Sequence, residues 1–467
     1  MLYEVLNRFR LIGLCNHAAV VIHSSIINYR SDDVQMAMSL PFQWFIPDST
    51  IRELQLLTRS QLFGNRAQNL LNLIHTTMAA GKGRIIDRNV EDLYQLDGVP
   101  AATRKDFYDG GLVFIFGDMG KMAEFIEKTP VDFDIHVLFN PHWKCSDVSG
   151  CEIWSLPVAK RMLANLPWKQ ANVLENTVKV SNPIKNIKVI RAYDKNQNEV
   201  ARFSGSTLEK VKNMAGGEGV IYTSPSMPGR LLKFYRNNLP KGNRLKKIRA
   251  ICGLPLPHVA FPQELLYDES GNLIGIAMNP CPGRSLADVK AMGWQGYDPD
   301  AVIRNLALVL LELHALHIMV GDLAEQNVLV DQNNQVYLVD TDSFQLQNYP
   351  SGGVRSEYCH RDVKLNELNS ALRQPQHEDF AWSVLLFHIV CWENPVMQKR
   401  AVDDDRQLCW QNFSFPLEAA DIQNNRVNEE LFEIWKQQPM VLRKQFSEEF
   451  HFRRSHPIGS WLKALEL

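Results

Sequence analysis

The spacing of apolar residues changes character near residue 186, and that break restricts the chain to two halves built on different plans. Before it, short apolar runs at 18–22, 42–46, 84–86, 112–116 and 135–139 read as strands. Helical segments lie between them. Ile51, Leu54 and Leu57 follow the start signal Pro47-Asp48-Ser49, then come Leu70, Leu71 and Ile74, then 121–126. Strand and helix alternating at this interval predict a parallel α/β sheet. Beyond the break, 188–193 with 199–203 and 259–267 with 273–278 flank polar turns and read as hairpins. After Asp300 the pattern is mainly helical. A length of 467 residues also exceeds what one ordinary core supports. The expected organisation is multidomain: an N-terminal parallel-sheet α/β domain over 1–140, a Trp-rich packed connector over 141–185, and an α+β bilobal half. That half is strand-rich over 186–280 and helical over 281–467.

Composition mostly excludes. A formal net charge of −2 gives no general attraction to nucleic acid or anionic membranes. The apolar runs at 306–320 and 380–392 are too short, or carry His and Glu, and read as core helices rather than membrane spans. The first residues lack the form of a cleavable signal peptide. Eight cysteines without CxxC spacing read as reduced thiols in a cytoplasmic protein. His136, His142, Cys145 and Cys151 have zinc-ligand chemistry but match no common zinc spacing.

Chemistry concentrates in the second half. Phosphoryl transfer needs backbone donors over the phosphates, a cation on them, oxygen ligands for a metal and a group orienting the nucleophile. Gly216, Gly217 and Gly219 form a glycine-rich turn running into an apolar strand, which lets backbone N–H groups approach phosphate oxygens. Alone, such glycines more often make a plain hairpin turn. Lys233 stands inside Leu231-Leu232-Lys233-Phe234-Tyr235, where burial is costly unless an anion meets it. Gly321-Asp322-Leu323-Ala324-Glu325-Gln326-Asn327 puts Asp and Asn five apart ahead of a strand, and Asp340 ends the next strand. Loop, strand, turn and strand in this order can bring Asp322, Asn327 and Asp340 around one phosphate–metal site.

At these residues the chain resembles the eukaryotic-type protein kinase superfamily. Its GDLAEQNVLVD and YLVDTDSFQ segments are most similar to bacterial kinases of the helix-hairpin-helix and tellurite-resistance-associated groups. The resemblance covers about residues 186–467. It implies Asp322 as the catalytic-loop Asp, Asn327 and Asp340 as ligands of Mg²⁺ or Mn²⁺, and Lys233 on the α/β-phosphates of ATP. It also implies an adenine-holding hinge at Met278 and a buttress for the catalytic loop at Asp379. The implied activity is an ATP- and divalent-metal-dependent Ser/Thr protein kinase acting on a protein substrate. Autophosphorylation and a partner phosphatase would suit such an enzyme, and Tyr349, Ser351, Ser356 and Tyr358 are the candidate phosphosites.

Four departures keep a nucleotide-binding pseudokinase open. Met214 stands where the first glycine belongs. Ala324 replaces the Lys that follows the catalytic Asp, with no Arg at Gln326 as the tyrosine-kinase alternative. Asp340-Thr341-Asp342 replaces D-F-G, so that Asp342 reads as a turn cap or an added metal ligand. No acid lies between Lys233 and Glu264, which leaves Glu264 or the nucleotide as partner for Lys233. The basic run Arg236, Lys241, Arg244, Lys246, Lys247 and Arg249 reads as a solvated helix face, or as a docking surface for an acidic partner or RNA.

In the first half, residues 20–25, 47–54 and 114–118 resemble the PIN-domain nucleases, over roughly 15–140. Glu53 and Asp118 match two of the acids that hold Mg²⁺ or Mn²⁺ for RNA hydrolysis, and His23 occupies the first Asp position. A His there removes negative charge from a site that must attract a cation. The expectation is a degenerate PIN-like domain that regulates the kinase-like half, with a PIN-type RNA nuclease controlled by that half as the alternative.

Overall fold

The computed structural model describes residues 2–11, 19–86, 112–129, 135–139, 151–163, 172, 174, 178–179, 184–215, 219–236, 238–360, 362–363, 367, 369–392, 429–450 and 455–467. Its first region is built on a six-stranded sheet. The elements in chain order are α1 (Leu2–Leu11), β1 (Ala19–Ile22), α2 (Ser31–Met38), β2 (Gln43–Pro47), α3 (Asp48–Leu57), α4 (Gly64–Ala79) and β3 (Gly83–Ile86). They continue with β4 (Leu112–Ile115), α5 (Met119–Lys128), β5 (Ile135–Phe139), β6 (Glu152–Ser155) and α6 (Leu156–Leu163). The strand order is β3-β2-β1-β4-β5-β6. All neighbours pair in parallel except β5 with β6, which is antiparallel. The parallel sheet is as expected, but its sixth strand comes from inside the segment read as connector. The weakly alternating Glu152-Ile153-Trp154-Ser155 is half-buried edge sequence and carries little periodic signal.

Successive residues along β1 and β2 face opposite sides, as strand geometry requires. Val20, Trp44 and Val113 enter one apolar cluster, and Val21, Phe45 and Phe114 enter another.

The second sheet is antiparallel and seven-stranded. Its strands are β7 (Ile190–Tyr193), β8 (Glu199–Phe203), β9 (Glu209–Ala215), β10 (Gly219–Thr223), β11 (Leu231–Tyr235), β12 (Pro262–Tyr267) and β13 (Leu273–Met278), in the order β9-β10-β11-β13-β12-β7-β8. Both expected hairpins form, β7 with β8 and β12 with β13. One helix, α7 (Gly242–Ile251), follows β11. The helical part contains α8 (Pro299–Ala315), the short hairpin β14 (Val328–Val330) and β15 (Val336–Leu338), then α9 (Pro375–Cys391), α10 (Glu429–Gln437), α11 (Met440–Phe450) and α12 (Ile458–Ala464). The two apolar runs lie largely in α8 and α9, as core helices. Among the described residues no helix is long and apolar enough to cross a membrane.

One apolar cluster runs without interruption from Trp44 and Leu54 through Leu310 and Val384 to Trp461. It therefore joins the parallel-sheet region to the helical part. The C-terminal helix α12 packs on α3 at Gly459, where a Cβ would stand 2.5 Å from the Ser49 carbonyl oxygen, so only glycine permits the approach.

Candidate functional site

The β14–β15 hairpin assembles the first site. Val328 pairs with Leu338 and Val330 with Val336, and Asp331 closes the turn by accepting the N–H groups of Asn333 (2.8 Å) and Gln335 (2.9 Å). Beyond the paired residues, the Val339 N–H donates to the Asn327 carbonyl (3.0 Å), which draws Asn327 beside Asp340. The Asn327 amide donates to both the Asp322 carboxylate and the Asp322 carbonyl, each at 2.9 Å. That fixes the loop from Asp322 to Asn327 and turns the other amide atom, an oxygen, away from Asp322. Gly321 precedes it at a point of close packing, where a Cβ would meet the Ser343 carbonyl oxygen at 1.9 Å.

Asp340 itself is left-handed, φ 61 and ψ 49, a conformation that Asp tolerates better than most residues and that marks functional turns. Lys233 of β11 reaches across to it. Its Nζ donates to Asp340 Oδ1 at 2.6 Å and to Asp342 Oδ2 at 2.8 Å. Burial alone would lower the Lys233 pKa, but the charges of Asp342 and then Asp340 outweigh it and hold the ammonium well above its ordinary value. Asp342 is buried, which would raise its pKa, and Lys233 pulls it below the usual carboxylate range instead.

Asp342, read as a turn cap or an added metal ligand, is buried and holds Lys233 together with Asp340. One expectation is corrected here. Glu264 does not serve Lys233, because Arg230 grips it with Nε at 3.0 Å and Nη2 at 2.9 Å. The helix after the Lys strand brings a cation where an acid was sought. Lys247 is 1% exposed and donates to the carbonyls of Asp342 (3.0 Å) and Pro350 (2.9 Å). It shares the inward face of α7 with Ile248 and Ile251, so this member of the basic run is no solvated residue.

Asp322 is part-buried, which raises its pKa, while Arg355 and the Asn327 hydrogen bond oppose the shift. Its Oδ1 accepts the backbone N–H of Arg355 at 2.9 Å. Behind it, Glu378 rather than Asp379 supports the loop: Glu378 Oε2 accepts the Val320 N–H at 3.2 Å, and Oε1 meets His314 Nε2 at 3.3 Å. Asp379 points to the other region and takes the Lys121 ammonium at 2.8 Å. Gly219 opens β10 opposite Tyr235, beside the strand residue Lys233, and Met278 ends β13. Gly216 and Gly217 lie outside the described residues, as do His142 and Cys145. Two candidate phosphosites are inaccessible: Ser351 is fully buried, and Tyr358 is buried with its hydroxyl on Glu325.

The donor set suits a hard divalent cation bound together with a nucleotide. Mg²⁺ takes one or two protein oxygens and completes its shell with phosphates and water. Asn327 and the part-exposed Asp340 offer such oxygens beside a lysine.

A cavity of about 370 Å³ forms a second locus, at the carboxyl ends of β1 and β4, where a parallel sheet commonly binds ligands. It is roofed by the helical part and lined by His23, Glu53, Asp118, Lys121, His314 and His317. The three residues expected together in the first half do converge, but each acid is already engaged. Glu53 accepts the Gly459 N–H at 3.0 Å. Asp118 caps α5 through the Lys121 N–H (2.9 Å) and meets His317 Nδ1 at 3.2 Å. Burial would raise the Asp118 pKa, yet the His317 contact prevails and brings it to about 2. Among the described residues no three His, Cys, Asp or Glu side chains group as a metal site. The lysine–carboxylate site and this cavity are thus separate, the cavity lying at the junction between the regions.

Burial, aided by Lys121, lowers the His23 pKa to about 3. The unfolded chain thus binds a proton between pH 6.5 and 3 that the folded protein refuses, so stability falls as pH falls through that window. We expect His23→Asn to flatten the pH dependence by about 1.4 kcal/mol per pH unit between pH 4 and 6, read by urea unfolding. His314 contributes with the opposite sign, its pKa being raised against the cost of burial by Glu378, so its contribution is lost as pH rises.

No family model matches the chain. Over 197 residues it is 27% identical to Protein kinase YegI of Escherichia coli strain K12, and to the same-named protein of strain O157:H7. The match covers 38% of this chain and only 30% of the length of those relatives. It supports a distant, kinase-like relationship.

Proposed function

We propose that the protein is an ATP- and divalent-metal-dependent protein kinase that phosphorylates Ser/Thr hydroxyls and is controlled through its N-terminal domain. The observation that carries this reading is the convergence of Asp322, Asn327, Asp340 and Lys233 on one place. Lys233 would exchange its carboxylate partners for the α/β-phosphates, and Asp322, oriented by Asn327, would accept the proton of the incoming hydroxyl. Asn327 and Asp340 would hold Mg²⁺ or Mn²⁺, which would supply neutralisation of phosphate charge. Backbone at Met278 would hold adenine, and the turn with Gly216, Gly217 and Gly219 would cover the phosphates. The lack of Arg at Gln326 favours Ser/Thr over Tyr as acceptor.

The N-terminal domain fits a degenerate PIN-like module better than an RNA nuclease. Its Glu53 and Asp118 are taken up by the helical part, and neutral His23 adds no negative charge for a cation. A pseudokinase is the second reading, favoured by Lys233 holding two carboxylates and by fully buried Ala324.

Labelled ATP with Mg²⁺ or Mn²⁺ tests this. Wild type should transfer phosphate to protein Ser/Thr, and Asp322→Asn should bind ATP normally but transfer it roughly 10²–10⁴-fold more slowly. ATP binding by the wild type without transfer decides for the pseudokinase.

A further inference from the structure

Transfer of a phosphoryl group spreads negative charge over its oxygens, and a cation beyond the nucleotide lysine is commonly required there. Lys233 would serve the α/β-phosphates, and position 324 offers only a buried methyl group. Two arginines approach the catalytic loop from the segment after Asp340. Arg373 is turned to the backbone: its guanidinium donates to the Gly321 carbonyl and, at 2.6 Å, to the Gly353 carbonyl.

Arg355 is held differently. Its backbone N–H is fixed on Asp322 Oδ1 at 2.9 Å, while its guanidinium Nε lies 3.7 Å from Asp322 Oδ2. That contact is an ion pair without a hydrogen bond, and the side chain is 37% exposed. The backbone around it is pinned on both sides. Lys247 holds Pro350, Arg373 staples Gly353 to Gly321, and Tyr358 holds Glu325. Backbone held at these points thus presents a part-exposed guanidinium, ion-paired but not hydrogen-bonded, beside the carboxylate that would take the substrate proton.

We propose that Arg355 is a catalytic residue, the cation that stabilises the transferring phosphoryl group in place of a lysine after Asp322. In the step, the bond from Pγ to the ADP oxygen breaks as the bond from the Ser/Thr oxygen to Pγ forms. The hydroxyl proton passes to Asp322, ADP leaves with the electron pair of the broken bond, and the Arg355 guanidinium donates to the phosphoryl oxygens. The inference rests on the kinase reading above.

Truncating the side chain leaves the backbone N–H on Asp322 intact, so its effect reports the guanidinium alone. We expect Arg355→Ala to lower kcat by roughly 10²–10³-fold, with KM for ATP and the urea midpoint nearly unchanged. Arg355→Lys should recover part of the rate, and millimolar guanidinium chloride should partly rescue Arg355→Ala. Transfer by Arg355→Ala within threefold of wild type overturns the assignment alone, as does a loss that neither Lys nor guanidinium relieves. No transfer by the wild type overturns the kinase reading, and this assignment with it.

Discussion

On the kinase reading, replacing Asp340 with Asn should lower phosphate transfer by about a thousandfold or more, roughly 4 kcal/mol of transition-state stabilisation, without unfolding the protein. Asparagine keeps the shape of the side chain and tolerates the left-handed backbone at φ 61 that Ala would strain. What disappears is one negative charge. Lys233 keeps its bond to Asp342, so the lysine stays where it is. The loss should fall on kcat and on the concentration of Mg²⁺ or Mn²⁺ needed, measured in transfer assays across a metal titration. Urea unfolding of the same variant should match wild type closely. An Asp340→Asn protein that transfers phosphate within tenfold of wild type at ordinary metal concentration removes Asp340 from the metal site.

The second large effect is on stability, at the junction between the two regions. Lys121→Met should destabilise the protein by about 3–5 kcal/mol, because it strands a buried carboxylate without its cation. The Lys121 and Asp379 side chains are 14% and 5% exposed, and they form a 2.8 Å ion pair. Burial already raises the Asp379 pKa, and Lys121 restrains that shift. Without Lys121 the carboxyl protonates more readily, so the deficit should shrink as pH falls from 7 toward 5. Lys121→Met combined with Asp379→Leu should recover most of the loss, since an apolar pair of similar volume needs no partner. Urea midpoints of the four proteins at both pH values close the cycle. A single variant as stable as wild type would show that water serves Asp379 as well as lysine does.

What the sequence made legible was local. Asp322 and Asn327 are five residues apart on one loop, and Asp340 follows across a tight hairpin, so order and spacing are enough to bring them together. The alternation of strands and helices in the first half was readable for the same reason. Partners set by tertiary packing were not. Glu378 and Asp379 are two acids side by side, and nothing in residue type says which one faces the Val320 N–H. Lys247 lies in a run of cations whose charge hides the face it shares with Ile248 and Ile251, although that spacing was a usable signal. Lys121 meets Asp379 across 258 residues of chain. Arg355 reaches Asp322 first through its backbone, a contact that any residue but proline could make.

The neighbouring acids of α9 also set a gear ratio between the regions. One is pulled by the N-terminal region and the other holds the loop that carries Asp322. At a radius of about 5–6 Å from a helix axis, a rotation of about 3° moves a side-chain tip by about 0.3 Å. The Glu378 bond to Val320 is 3.2 Å long, so that displacement brings it to the edge of a hydrogen bond. A twist of α9 of that size would therefore stretch the Glu378 hold on the loop, one residue from the carboxylate that Lys121 grips.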